Sequence, residues 1–182
     1  RSHIGNPVLR QSPIGQDGLP AQSVTWVEKG VVKNLYYDRF WAQKQNVPAT
    51  RAGGGFGARS LRLMGGTTST SDMIKSTERG LLVTRFWYIR AVDPRTILYT
   101  GLTRDGTFLI ENGRLTRPLR NLRFTQSAIG ALRTCRGITR DRKFVGTDEA
   151  AVCAPGVLLG EFAFTRTFRG HKGRSETTSR KR

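Results

Sequence analysis

Thr107-Phe108-Leu109-Ile110-Glu111-Asn112-Gly113-Arg114-Leu115 is the stretch that decides the fold class. Its first five residues form a β-prone run. The Asn-Gly pair then supplies two positions that tolerate positive φ, and a second run starts at once. The segment therefore reads as an antiparallel hairpin closed by a type I′ turn. The pattern occurs a second time upstream, where Val24-Thr25-Trp26-Val27-Glu28 and Val31-Val32-Lys33-Asn34-Leu35 flank Lys29-Gly30. The two hairpins stand far apart and do not read as a solenoid repeat.

Outward from the first hairpin, Leu81 to Arg90 is dense in apolar and aromatic residues and reads as a buried strand. Asp93-Pro94-Arg95-Thr96 reads as a turn, because proline at the second position presets φ. Ile97-Leu98-Tyr99-Thr100 and Phe108 to Glu111 read as strands around Thr103-Arg104-Asp105-Gly106. Val157 to Thr165 reads as the closing strand region, with Glu161-Phe162-Ala163-Phe164 alternating like an edge strand. Three short helices are expected. Tyr36 to Gln45 carries Tyr37, Phe40, Trp41 and Lys44 at helical spacing, with the aromatics expected in the core. Ser71 to Arg79 reads as capped by Ser71 and stopped by Gly80, and Ala128 to Arg133 as capped by Ser127. About seven strands in consecutive hairpins predict an α+β domain, mainly antiparallel sheet or barrel-like, with a few short helices.

The chain has 182 residues, enough for one domain, and 37% of them are hydrophobic, enough for a core. Residues 1–21 read as a loop-rich opening segment with Pro7, Pro13, Pro20 and Asp17-Gly18, residues 22–165 as the domain, and 166–182 as a basic, disordered tail. No apolar run approaches the length of a membrane-spanning helix, and no signal-peptide pattern opens the chain. The missing initial Met predicts a piece of something longer. Cys135 and Cys153 form no CxxC and predict two reduced thiols in a cytoplasmic protein. Zinc needs three or four His, Cys or carboxylate ligands, and His3 and His171 lie at opposite ends of the chain.

Lys and Arg number 31 against 13 Asp and Glu, a formal charge of +18. Such a charge raises nucleic acid as a partner. Residues 166–182 alone hold 7 basic groups against 1 acidic, so a third of the excess lies in the tail. Arginines outnumber lysines 24 to 7, for which a GC-rich genome is a sufficient cause. Arg85-Phe86-Trp87-Tyr88 is the nearest candidate for an RNA-binding sheet motif but lacks that motif's glycines. Gly53-Gly54-Gly55-Phe56-Gly57 lacks the Gly-Lys-Ser/Thr ending of a phosphate loop and reads as a flexible or tightly packed loop. A basic nucleic-acid-binding module is thus the alternative reading.

Longer motifs carry a family resemblance. Ser76-Thr77-Glu78-Arg79-Gly80-Leu81-Leu82-Val83-Thr84-Arg85-Phe86-Trp87-Tyr88-Ile89-Arg90 resembles the TldD/PmbA family, as do Val92-Asp93-Pro94-Arg95-Thr96 and Gly101 to Gly113. Gly18-Leu19-Pro20, Gly30 to Leu35, Asn121-Leu122-Arg123-Phe124 and Glu161 to Thr165 are similar too, so the likeness runs in order from about Ser12 to Thr165. The resemblance implies the C-terminal region of a family first called modulators of DNA gyrase and viewed as zinc metalloproteases and their inactive partners. It implies a homo- or heterodimer with a TldD/PmbA-type subunit, acting on unfolded peptides, with zinc as the cofactor of the complete enzyme.

Family peptidases carry a His-Glu-x-x-x-His helix upstream of the matched region, two His binding zinc and the Glu serving as general base. This chain has no His-Glu pair. The family's late Cys ligand lies in a Cys-Gly-Lys context that neither Cys135-Arg136-Gly137 nor Cys153-Ala154-Pro155 reproduces, so no metal ligand is carried over. Two explanations stand. The chain is a C-terminal piece of a protein whose upstream half holds the zinc helix, or it derives from the non-catalytic partner type, to which its Thr84-to-Tyr88 motif and Phe162-Ala163-Phe164-Thr165 ending are more similar. No catalytic residue is expected in the chain itself. The candidates for a substrate groove or partner-facing surface are Arg85, Arg90, Thr103, Arg104 and Asp105. For Thr103 to Gly106 the competing reading is a β-turn whose Asp bonds its own backbone while Arg104 pairs with a carboxylate. Trp87 and Tyr88 are expected in the core or a dimer interface.

Overall fold

A computed structural model describes residues 13–14, 18–51, 61–147 and 150–166. The glycine run Gly53 to Gly57 and the tail beyond Arg166 lie outside the described residues, as does most of the opening segment. In chain order the elements are β1 (Val27–Glu28), β2 (Val31–Val32), α1 (Arg39–Gln45), β3 (Leu61–Arg62), α2 (Thr70–Lys75), β4 (Arg79–Asp93) and β5 (Leu98–Glu111). They continue with β6 (Arg114–Pro118), β7 (Leu122–Ser127), α3 (Ala128–Arg133), β8 (Cys135–Thr147), β9 (Ala150–Leu159) and β10 (Phe164–Arg166). The pairings β1–β2, β10–β7, β4–β5, β5–β6 and β5–β7 are antiparallel, and β3 with β9 is parallel. The expected α+β, mainly antiparallel class is the observed one, without a closed barrel among the described residues.

Residues 22–165 are divided between two compact units, Arg1–Met73 with Arg136–Leu158, and Ile74–Cys135 with Leu159–Arg182. In the first unit, β1 and β2 form the expected hairpin, whose Lys29 and Gly30 adopt φ of 49° and 80°, positive at both as in a type I′ turn. Helix α1 starts at Asp38, whose carboxylate accepts the Trp41 N–H at 2.8 Å, and ends at Asn46 in the left-handed region. Its buried residue is Ala42. Phe40 and Trp41 are exposed instead of core, packing edge to face on each other, with Lys44 over the indole. A seven-residue helix offers one narrow inward stripe, and alanine occupies it. Ser69, not Ser71, caps α2: its hydroxyl accepts the Asp72 N–H at 3.1 Å and donates to the Asp72 carboxylate at 2.6 Å. Gly80 does not stop that helix but lies within β4.

The second unit is a meander in the order β10-β7-β5-β4, with β6 pairing the other half of β5. Thus β5 is hydrogen-bonded on both edges, to β4 along its length and to β7 and β6 in turn. Asn112 and Gly113 turn the β5–β6 hairpin at φ of 49° and 74°. Their N–H groups donate to Glu78 and Thr77 carbonyls, so the turn is also sewn to the start of β4. Helix α3 begins where expected, Ser127 Oγ accepting the Gly130 N–H at 3.3 Å.

One face of the meander carries the apolar core. Phe86 of β4, Phe124 of β7, Phe164 of β10 and Phe162 stack on one another with ring centres 4.8–6.5 Å apart. Such pairs add about 0.5–1.5 kcal/mol each beyond area burial. Phe162 belongs to a loop, so the expected edge strand is confined to Phe164–Arg166.

The buried strand expected over Leu81 to Arg90 is corrected. β4 is an edge strand, and from Thr84 to Val92 its side chains are exposed. Dense aromatics raise strand propensity on any half-covered surface, so they do not by themselves report depth. Gly113 offers a direct check on turn chemistry. A Cβ there would meet the Lys75 carbonyl at 2.6 Å, while one at Gly30 would meet nothing. Gly113→Ala should cost about 1–3 kcal/mol, and Gly30→Ala about 1 kcal/mol from backbone strain alone, in urea unfolding.

Candidate functional site

The β4–β5 ladder is interrupted by bulges, and these build the site. Val83 pairs with Thr107 and Arg85 with Arg104, so Thr84 faces both Asp105 and Gly106. Asp105 is the inserted residue, with φ of 63°, a conformation Asp tolerates better than most residues. The Thr84 hydroxyl fills the bulge, donating to the Gly106 carbonyl at 3.1 Å. A Cβ on Gly106 would fall 2.8 Å from that hydroxyl oxygen. Thr103-Arg104-Asp105-Gly106 is therefore no turn between two strands: β5 runs unbroken through it. A bulge resembles a turn in local sequence because both use residues that accept positive φ.

The pairing sets Arg85 and Arg104 directly opposite each other, an arrangement that repels. The bulge brings the Asp105 carboxylate between them. Oδ2 accepts from Arg85 Nη1 at 2.9 Å, and Oδ1 lies 3.3 Å from Arg104 Nε. Both guanidinium groups also lie over the Trp87 indole, Arg85 at 5.1 Å and Arg104 at 4.3 Å from the ring centre. Trp87 is thus an exposed platform for two cations, not a core residue.

A second bulge lies in β4. Trp87 pairs with Leu102 and Arg90 with Thr100, so β4 inserts one residue there, and Tyr88 has φ of 53°. Strict alternation would put Arg90 on the Phe86 face. The bulge returns it to the face of Arg85, Trp87 and Arg104. Its guanidinium stacks on Tyr88 at 4.5 Å. Arg123, exposed on β7, joins the same face through its pairing with Leu102. Sequence reading missed Arg123, because nothing local indicates which β5 residue it will sit beside.

Four of the five candidates, Arg85, Arg90, Arg104 and Asp105, thus share one sheet face. Thr103 does not. It is 0% exposed, pairs with Phe86 on the opposite face, and its hydroxyl accepts the Leu122 N–H at 2.9 Å. Its role is to satisfy a buried amide.

Cys135 is exposed and Cys153 buried, and neither is in a disulfide. The described residues contain no group of three His, Cys, Asp or Glu side chains able to hold a metal ion. Zinc does not fit the residues described. Among the described residues no helix is long and apolar enough to cross a membrane.

At the far end of the β4–β5 hairpin, Asp93 organises the expected turn. Its carboxylate accepts from the Thr96 hydroxyl at 2.7 Å and from the Arg95 N–H at 2.9 Å. Those bonds hold its pKa below the ordinary aspartate value, the Thr96 hydroxyl contributing most. A depressed carboxylate stabilises the fold above the ordinary value, and its contribution disappears as pH falls through the folded value. An NMR titration should show Asp93 protonating below a free aspartate, and Asp93→Asn should flatten the acid limb of stability.

The family model described as the PmbA/TldA metallopeptidase C-terminal domain matches residues 6–166. No curated protein matches the sequence. Among solved structures, TldE from Thermococcus kodakarensis has a TM-score of 0.71 at 17% identity, covering 90% of this chain and 38% of its own. A candidate modulator of DNA gyrase from Thermotoga maritima gives 0.69 at 22%, covering 85% and 35%. A similarly described protein from Bacteroides thetaiotaomicron gives 0.68 at 22%, covering 85% and 33%. These identities establish likeness of fold, and the chain spans between 33% and 38% of each protein's length.

Proposed function

The chain belongs to the TldD/PmbA metallopeptidase family as its C-terminal domain, and from that premise we propose that it supports zinc-dependent proteolysis of unfolded peptides without being catalytic alone. The observation that carries this reading is the family match over residues 6–166. The zinc and its activated water belong to a His-Glu-x-x-x-His helix outside the sequence given, in the same polypeptide or in a partner subunit.

In this reading the chain acts within a homo- or heterodimer of TldD/PmbA-type subunits. The Thr84-to-Tyr88 motif and the Phe162-to-Thr165 ending incline the proposal toward the non-catalytic partner type. The face bearing Arg85, Arg90, Arg104 and Asp105 lines the peptide path. Those side chains hold and orient a peptide and move no proton in the reaction. The setting proposed is the cytoplasm, in keeping with two cysteines outside any disulfide.

The purified chain should bind no stoichiometric zinc and hydrolyse no peptide. Mixed with a family subunit carrying the His-Glu-x-x-x-His helix, it should form a stable complex with chelator-sensitive peptidase activity. Zinc at one equivalent together with activity in the isolated chain would sink the proposal.

A further inference from the structure

We infer that the arginine face of β4 and β5 selects acidic peptide segments, receiving substrate carboxylates on Arg85 and Arg104, with Arg90 extending the site along β4. This rests on the reading of the chain as a peptide-handling domain and adds the side-chain class that it prefers.

The face itself displays the chemistry. Asp105 is a resident carboxylate, and it places one oxygen on each of the two opposed arginines. Donor arithmetic leaves room for another. Two guanidinium groups carry ten N–H donors, and one carboxylate offers about four acceptor positions. Arg85 and Arg104 keep 53% and 46% of their side-chain surface open to solvent, so the unused donors are reachable. Stacking on Trp87 holds both planes in place, which lowers the ordering cost of binding a second planar acceptor. Arg90 has no ion pair among the described residues, and Tyr88 holds its guanidinium in the same way. Arg85, Arg90, Arg104 and Arg123 against Asp105 leave this face cationic. A neutral segment would gain only the weaker uncharged hydrogen bonds from those donors, and a basic one would be repelled. An acidic one replaces water on several of them at once.

The test is fluorescence anisotropy on the intact chain, with labelled peptides of alternating Glu and Gly, the Gln–Gly counterpart, and an oligothymidylate of equal charge. Charge-assisted hydrogen bonds to two arginines should make the Glu peptide bind about tenfold tighter than the Gln peptide. Raised salt should narrow that gap. In Arg85→Gln/Arg104→Gln the ratio should fall to about twofold or less, with circular dichroism and melting unchanged. Asp105→Asn keeps the shape and accepts the left-handed backbone while removing the resident competitor, and it should tighten the Glu peptide about threefold.

Equal binding of Glu and Gln peptides overturns the inference, as does a preference that survives the double substitution or an Asp105→Asn variant with unchanged or weaker affinity. Oligothymidylate binding tighter than the Glu peptide, and lost in the double variant, overturns it in favour of a nucleic-acid surface. The binding readout needs no turnover. A reconstituted complex that hydrolyses nothing counts against the proposed function alone, and one that hydrolyses peptides without acidic preference counts against this inference alone.

Discussion

The second unit depends on one constraint, that β5 satisfies its backbone on both edges. β4 takes one edge from Leu98 to Glu111, while on the other β7 pairs with Leu98 to Leu102 and β6 with Phe108 to Glu111. A strand held on both sides cannot slip by a residue without moving its neighbours and exchanging its two faces. The Phe86–Phe124–Phe162–Phe164 stack makes that exchange costly, since it would put aromatic rings in water and arginines in the core. Register and core thus enforce each other.

Within that frame the bulges act as aiming devices. The inserted Asp105 sets a carboxylate between two arginines that the ladder places opposite each other. The inserted Tyr88 rotates Arg90 onto their face. Exposed ion pairs of this kind contribute about 0–1 kcal/mol each, small beside the aromatic core. Stability alone therefore gives little reason to gather four arginines on one face, whereas recognition of anions does.

The same geometry reinterprets the charge. Much of the +18 is distributed over strands and turns, but the second unit concentrates part of it on a single face, with Trp87 and Tyr88 as stacking platforms. Aromatics interleaved with arginines in a strand look alike in sequence whether the rings are buried, stack nucleobases or hold guanidinium groups. Here Phe86 stacks on the rings of Phe124, Phe162 and Phe164, while Trp87 and Tyr88 hold arginines.

Features governed by a few adjacent residues were legible in the sequence by itself. Asn112-Gly113 determines its turn because both residue types accept positive φ, and Gly30 does the same for the upstream turn, where Lys29 takes φ of 49° beside it. Ser127 determines the start of α3 because a hydroxyl reaches an amide three residues on. The ordered motifs from Ser76 to Gly113 were enough for the family. Only the tertiary structure decided that β4 is an edge strand, that Thr103 is buried against Leu122, and that Arg90 and Arg123 join Arg85 and Arg104. These outcomes follow from pairing between residues about 20 apart and from an inserted residue that reverses alternation beyond it. Local chemistry permits a bulge at Asp105 or Tyr88, but the partner strand's register places it there.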